Sequence, residues 1–214
     1  MTAKYIRWGG LAAILGGALL LIADGWGLAQ ELLGTGPERF SEQATTSAWT
    51  VMSVLFMSGG VLILLGLVGI YARQAEAAGI LGLIGFLAAF VSVALVVGVF
   101  WTFTFVAPSA AIEAPAFLDN EQPAGPLMVG FMLSFMAFPV GLALFGLATF
   151  RARVFPRLAA AALTLGALIS FAPLPGVTIL LDAALIWVGY SLYSERRAEA
   201  ASSRTVPPVQ PAGT

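Results

Sequence analysis

Six apolar runs, each long enough or nearly long enough to cross a bilayer, constrain this chain more than any other feature. They cover residues 6–28, 50–71, 79–106, 127–150, 156–173 and 177–193. A helix that crosses the hydrocarbon core needs about 20 mostly apolar residues. Charge is correspondingly scarce: 10% of residues are charged and 59% hydrophobic, with a mean hydropathy of +0.94, whereas soluble domains carry about 25% charged residues. The expected fold is all-α, a polytopic transmembrane bundle of six helices over residues 1–194. A polar, Pro-rich segment, 195–214, reads as a disordered cytoplasmic tail.

Orientation follows from the basic residues of the short connections. With the N-terminus inside, the inner side collects Lys4, Arg7, Arg73, Arg151, Arg153, Arg157, Arg196, Arg197 and Arg204, nine of the ten Lys and Arg residues. Arg39 is left outside with Glu31, Glu38, Glu42, Glu113, Asp119 and Glu121. The expectation is six spans with both termini inside, in a cell membrane. Tyr5, Tyr71, Tyr190 and Tyr193 fall at the inner interface and Trp26 and Trp49 at the outer one, as an aromatic belt would. A competing reading takes 1–29 as a cleaved signal peptide. Its apolar stretch exceeds the usual run of about 7–15 residues, which favours a retained helix.

The last two runs are short and admit two arrangements. They form two full spans, or a re-entrant hairpin whose tip, Pro173–Gly176, stops inside the membrane. Full spans are favoured, because a turn exposed to lipid leaves backbone groups unpaired. Two echoes suggest three related helical hairpins. "GLVGIYAR" (66–73) resembles "GLATFRAR" (146–153), and "RWGGLAAILGGAL" (7–19) resembles "RLAAAALTLGAL" (157–168). Small residues recur along helical faces at Ala78, Gly82, Gly85 and Ala89, and at Ala159, Ala162, Gly166 and Ser170. Such stripes let membrane helices approach closely.

Several chemistries are excluded by residue type. The chain has no Cys and no His, which removes disulfides, thiol catalysis, thiolate zinc sites and histidine-ligated haem. No cofactor and no metal site is expected. No basic-aromatic patch supports nucleic-acid binding. Met128, Met132 and Met136 form a stripe of soft ligands suited to Cu(I), but a copper path normally adds Cys or His, and Met with Phe more often makes an adaptable packing face. Pro139 in the same run removes a backbone donor and marks a kink.

The candidate site begins with Asp182, the ionisable residue set well inside a predicted span. A carboxylate there costs about 2.5–3.5 kcal/mol on insertion scales. Thr178 lies one turn earlier on the same face, and Leu185 and Gly189 continue that face. One reading is a proton or cation site reached from outside. The other is a hydrogen-bonded Asp that ties the sixth helix to a neighbour. Asp24, in "IADGWG", reads as a helix stop beside an interfacial Trp. If the first and sixth helices are neighbours, Asp24 and Asp182 lie at similar depth and share a proton or a cation. Thr45, Thr46, Ser47, Thr50, Ser53, Thr102 and Thr104 either line an outward cleft or are the wet ends of helices. Arg151, Arg153 and Arg157 are candidates for anionic lipid head groups, or topology determinants only.

The stretch "FRARVFPRLAAAALTLGAL" (150–168), an Arg-rich inner loop with Pro entering a small-residue helix, resembles uncharacterised six-span bacterial membrane proteins grouped as domains of unknown function. That resemblance implies no chemistry and carries no site residue. Two function classes remain. The first is a non-catalytic membrane subunit or scaffold, partnered by the bilayer and by other membrane subunits or copies of itself. The alternative is a small solute or cation transporter or binding protein with an outward cleft near Asp182. An enzyme is not expected, since two carboxylates without His, Cys or a metal make no recognisable catalytic set. A scaffold predicts Asp182 satisfied in a packed interface. A transporter predicts it in a cavity.

Overall fold

A computed structural model describes residues 3–120, 125–172, 174 and 176–205, and its regular structure is α-helical throughout. Five helices make the body: α1 (Ala3–Leu33), α3 (Ser47–Phe105), α6 (Pro126–Ala152), α7 (Arg157–Ile169) and α8 (Ile179–Thr205). Three short ones, α2 (Phe40–Ala44), α4 (Ala107–Glu113) and α5 (Pro115–Leu118), lie in the connections. Among the described helices three are long and apolar enough to cross a membrane: Ile6–Leu33, Ser47–Phe105 and Pro126–Ala152. The apolar parts of α7 and α8, Arg157–Ile169 and Ile179–Ser194, are shorter.

The 59 residues of α3 would reach about 90 Å if straight. They do not, because Gly79, at φ 57° and ψ −146°, reverses the chain. The two arms lie side by side. Phe56 stacks on Phe100 at 4.4 Å and Tyr71 on Phe86 at 4.5 Å, and Trp49 Nε1 donates to the Phe103 carbonyl at 3.0 Å. The sequence pattern puts a link over 72–78. Instead "ARQAEAA", rich in strong helix formers, stays helical and leaves the whole reversal to one glycine. That backbone region is essentially closed to other residues. Gly79→Ala is therefore expected to cost about 1–3 kcal/mol, read as a lower unfolding midpoint in micelles. An unchanged midpoint would mean that the arms do not fold back here.

With α3 counted as two arms, six antiparallel helices close into a ring. Neighbours run α1, first arm, second arm, α6, α7, α8 and back to α1. Small residues make each contact close. A Cβ on Gly9 would lie 2.6 Å from Gly69 Cα, one on Gly141 2.6 Å from the Ala88 carbonyl, and one on Gly166 2.8 Å from Leu181 Cα. Lipid gives helices no hydrophobic reason to associate, so this close backbone packing does the work instead. Leu67, Ile70, Leu142, Phe145, Leu163, Leu185 and Val188 fill the core.

Both described ends of the chain lie at one end of the ring, where Arg7 Nη2 donates to the Tyr193 hydroxyl at 3.0 Å. At the opposite, loop end, α2, α4 and α5 form a small cap. Ala44, Ala107 and Ala111 cluster there with Trp49 and Leu118. Trp49 meets Phe40 edge-on at 5.1 Å and Phe103 at 5.4 Å, so its half-buried ring anchors the cap. The Ser41 N–H and hydroxyl each donate to Asp119 at 2.8 Å. These bonds hold the Asp119 carboxyl below its ordinary value of 3.8. Because the folded value is the lower one, the bonds stabilise the cap above about pH 4 and that contribution fades as pH falls further. Protection of the Ser41 amide from hydrogen exchange, corrected for intrinsic rate, is expected to be weaker at about pH 3 than at about pH 6. Equal protection at both would show that Asp119 does not hold the cap.

Boundaries differ from the sequence expectation in three places. α1 runs on to Leu33, straight through Asp24 and Gly25, so Asp-Gly is no helix stop. α7 ends at Ile169, short of 173. α8 continues to Thr205, well into the segment expected to be disordered from 195, because "ERRAEAA" is again built of helix formers. Glu121, Pro173 and the tail beyond Thr205 lie outside the described residues.

Candidate functional site: a cavity closed by α1 and α8

The α7–α8 turn sets the site. Gly176, at φ 72°, packs against Leu28 of α1, 2.9 Å from a Cβ position to Leu28 Cδ2, and α8 starts three residues later. Asp182 thus falls in the first turn of α8, where the partial positive charge of a helix N-terminus favours an acid. Its own N–H donates to the Thr178 carbonyl at 3.0 Å. α8 then presses on α1 at Gly17, where a Cβ would lie 3.0 Å from the Asp182 carbonyl oxygen. Two turns along that face of α1 stands Asp24.

The first and last helices are therefore neighbours, and the carboxyl groups of Asp24 and Asp182 come within hydrogen-bonding reach of each other. The Thr178 hydroxyl donates across to Asp24, not along α8 to Asp182 as helical spacing suggests. Asp182 is 2% exposed, and its Oδ2 is buried with no hydrogen-bond partner. Two ionised carboxylates at contact repel, so the stable arrangement places a proton or a cation between them.

The pair opens into a cavity of about 260 Å³ bordered by α1, both arms of α3, α6, α8 and, just past the end of α7, Ser170. Of its nineteen lining residues, four have polar side chains: Asp24, Ser170, Thr178 and Asp182. The Ser170 hydroxyl is spent on the Ala167 carbonyl at 2.7 Å. The remaining wall is apolar, with Phe56 and Phe100 from α3 and Phe135, Phe138 and Pro139 from α6. Pro139 is buried inside α6 and leaves the Phe135 carbonyl without its intrahelical donor.

The candidates Asp24, Thr178 and Asp182 are brought together. Arg151, Arg153 and Arg157 are not part of this site. They lie exposed around the α6–α7 link, bordering a separate surface hollow of about 380 Å³. The hydroxyls of Ser53, Thr102 and Thr104 donate to carbonyls of their own helix at 2.7–3.1 Å, and none lines the cavity. Of the Met stripe, Met136 borders the cavity while Met132 lies exposed on the outer face.

Gln74 is among the buried polar groups that escaped the sequence reading. It is 0% exposed and donates to Thr149 Oγ1 at 3.0 Å, and its Oε1 has no partner. Treating 72–78 as a link hid it. The i, i+3, i+7 series Leu67, Ile70, Gln74, all buried, is the signal that reveals it. Compared with protein-family models, curated proteins and solved structures, the chain matches none of them.

Proposed function

We propose that this chain is a six-span membrane protein that binds, or carries, a small ligand offering a proton or positive charge to Asp24 and Asp182. The observation that carries this reading is one cavity lined by both Asp24 and Asp182, the latter with a buried Oδ2 that has no hydrogen-bond partner. A scaffold has no use for an unsatisfied buried acceptor in such a wall, which costs about 1–3 kcal/mol or more. A binding site does, because the ligand supplies the missing donor. The role is read as binding or transport rather than catalysis, since Asp24, Asp182 and Thr178 in an apolar wall make no recognisable catalytic set.

Six crossings with both termini in the cytoplasm of a bacterial cell are part of the proposal. The α7–α8 turn sits beside Leu28, and the 22 residues of helix from Ile6 to Leu28 rise about 33 Å. A hairpin reaching that level matches the full hydrocarbon thickness of about 30 Å. The ring also sorts charge by end. Arg7, Arg73, Arg151, Arg153 and Arg157 lie at one end, and Arg39 lies with the acids of the cap at the other. At a cytoplasmic surface the three arginines of the α6–α7 link would meet anionic head groups, worth about 1 kcal/mol each.

Native mass spectrometry of the full chain, released gently from its own membrane, tests the binding reading. The expected spectrum shows a small-molecule adduct on the wild type that Asp182→Asn loses. A chain that emerges with other proteins in fixed ratio, and without an adduct, supports the subunit reading and ends this one.

A further inference from the structure

We propose that the ligand is a small amphiphile, an apolar body bearing one primary or secondary ammonium, that enters sideways from the bilayer where α7 stops short. This rests on the carboxyl pair being a binding site and adds the ligand's class and route. The route follows from unequal helices. Gly146 of α6 faces Thr164 of α7, 2.6 Å from a Cβ position to Thr164 Oγ1. From that contact α6 continues 20 residues toward the loop end (146 − 126), about 30 Å. α7 continues only 5 (169 − 164), about 8 Å. Above its end the flank of α6 has no α7 beside it. There Phe135 and Met136 border the cavity yet are 39% and 49% exposed. Met136 is ten residues from the start of α6, about 15 Å below the loop end. At that depth the exposed side faces lipid chains, not water.

The ligand class follows from what the cavity offers. Its volume of about 260 Å³ has room for a small organic molecule and not only for a water. A bilayer is as apolar as this wall, so an apolar body gains nothing by moving between them. Selection must occur at the carboxyl pair. An ammonium has three donors and no acceptor. It donates to the paired carboxyls of Asp24 and Asp182, neutralises charge between the two acids, and leaves its alkyl chain against Phe100 and Met136. A fatty acid would set a third carboxylate against two. Calcium asks for six to eight oxygens and magnesium for an octahedron, whereas this site has two carboxyls and a hydroxyl in an apolar wall.

The test uses the full chain in lipid nanodiscs with octylamine carrying a diazirine at its tail. After photolysis, label is expected on Met136, Phe135 or Phe100. Excess octylamine should remove it. Octanoate, sodium and octyltrimethylammonium, which has no N–H, should not. Asp182→Asn and Asp24→Asn, both near-isosteric, should each weaken labelling about ten- to a hundredfold, the loss expected for a charge-assisted hydrogen bond. The competitor series on the wild type decides the matter even if a variant fails to fold. Label spread over outer faces such as Trp8 and Leu65, indifferent to octylamine, overturns the proposal. Protection by sodium with none by octylamine overturns the ligand class but leaves a cation site at the pair. Label in the cavity displaced equally by octanoate and unaltered in both Asn variants overturns the carboxyl pair itself.

Discussion

Asp182→Leu is expected to stabilise the protein by about 1–3 kcal/mol while ending its affinity for ligand. The two interpretations of this residue give opposite signs. If Asp182 serves to tie α8 to α1, losing its carboxyl removes a tether and the unfolding midpoint falls. If the carboxyl is held for a ligand, the empty protein carries a buried oxygen without a donor and an acid beside another acid. Leucine removes both costs, and the cavity beside it has room for the added methyl groups. Stability given up at a functional site is recovered when the function is removed. Thermal unfolding of both chains in the same micelles decides the sign, and a lower midpoint for the leucine variant would establish the tether.

The second large effect is expected at Gly69. Its Cβ position lies 2.7 Å from Gly9 Cα and 3.2 Å from the Gly9 carbonyl carbon, and neither atom can rotate away. Gly69→Leu must push α1 off the first arm of α3. A loss of about 3 kcal/mol or more is expected, at the upper end of overpacking costs. Gly98→Leu is the control. Nothing lies within 4 Å of its Cβ position, and leucine is the better helix former, so that variant should be neutral or slightly more stable. Equal losses at the two glycines would show that helix contact is not what Gly69 serves.

Much of the helical pattern is legible in the sequence, because a helix crossing lipid must be long and apolar and there are few ways to write one. The second and fourth runs fall close to the first arm of α3 and to α6. What is lost is whatever depends on which helices touch. Asp24 looks like a helix stop when read locally. It becomes half of a site once α8 closes on α1, and nothing in "IADGWG" states that neighbour. Thr178 was legible as a polar partner by helical spacing, but its hydroxyl goes to the other helix. Gly79 was hidden for a different reason. A reversal is usually marked by several polar or Gly/Pro residues, and here a single glycine inside a helix-forming stretch makes it. The apolar cavity itself leaves no trace, since Val93, Phe100 and Phe138 look like any membrane-helix residues.

The ring closes by joining α1 to α8, helices far apart in the chain. Asp24 is made well before α8, and its partner arrives more than 150 residues later (182 − 24 = 158). In the interval that acid has neither Asp182 nor Thr178 beside it, and a truncated product lacking α8 never acquires them. Arrival of α8 and assembly of the pair are thus one event. A nascent chain still exposing a lone carboxyl on α1 is chemically distinguishable from one in which α8 has docked.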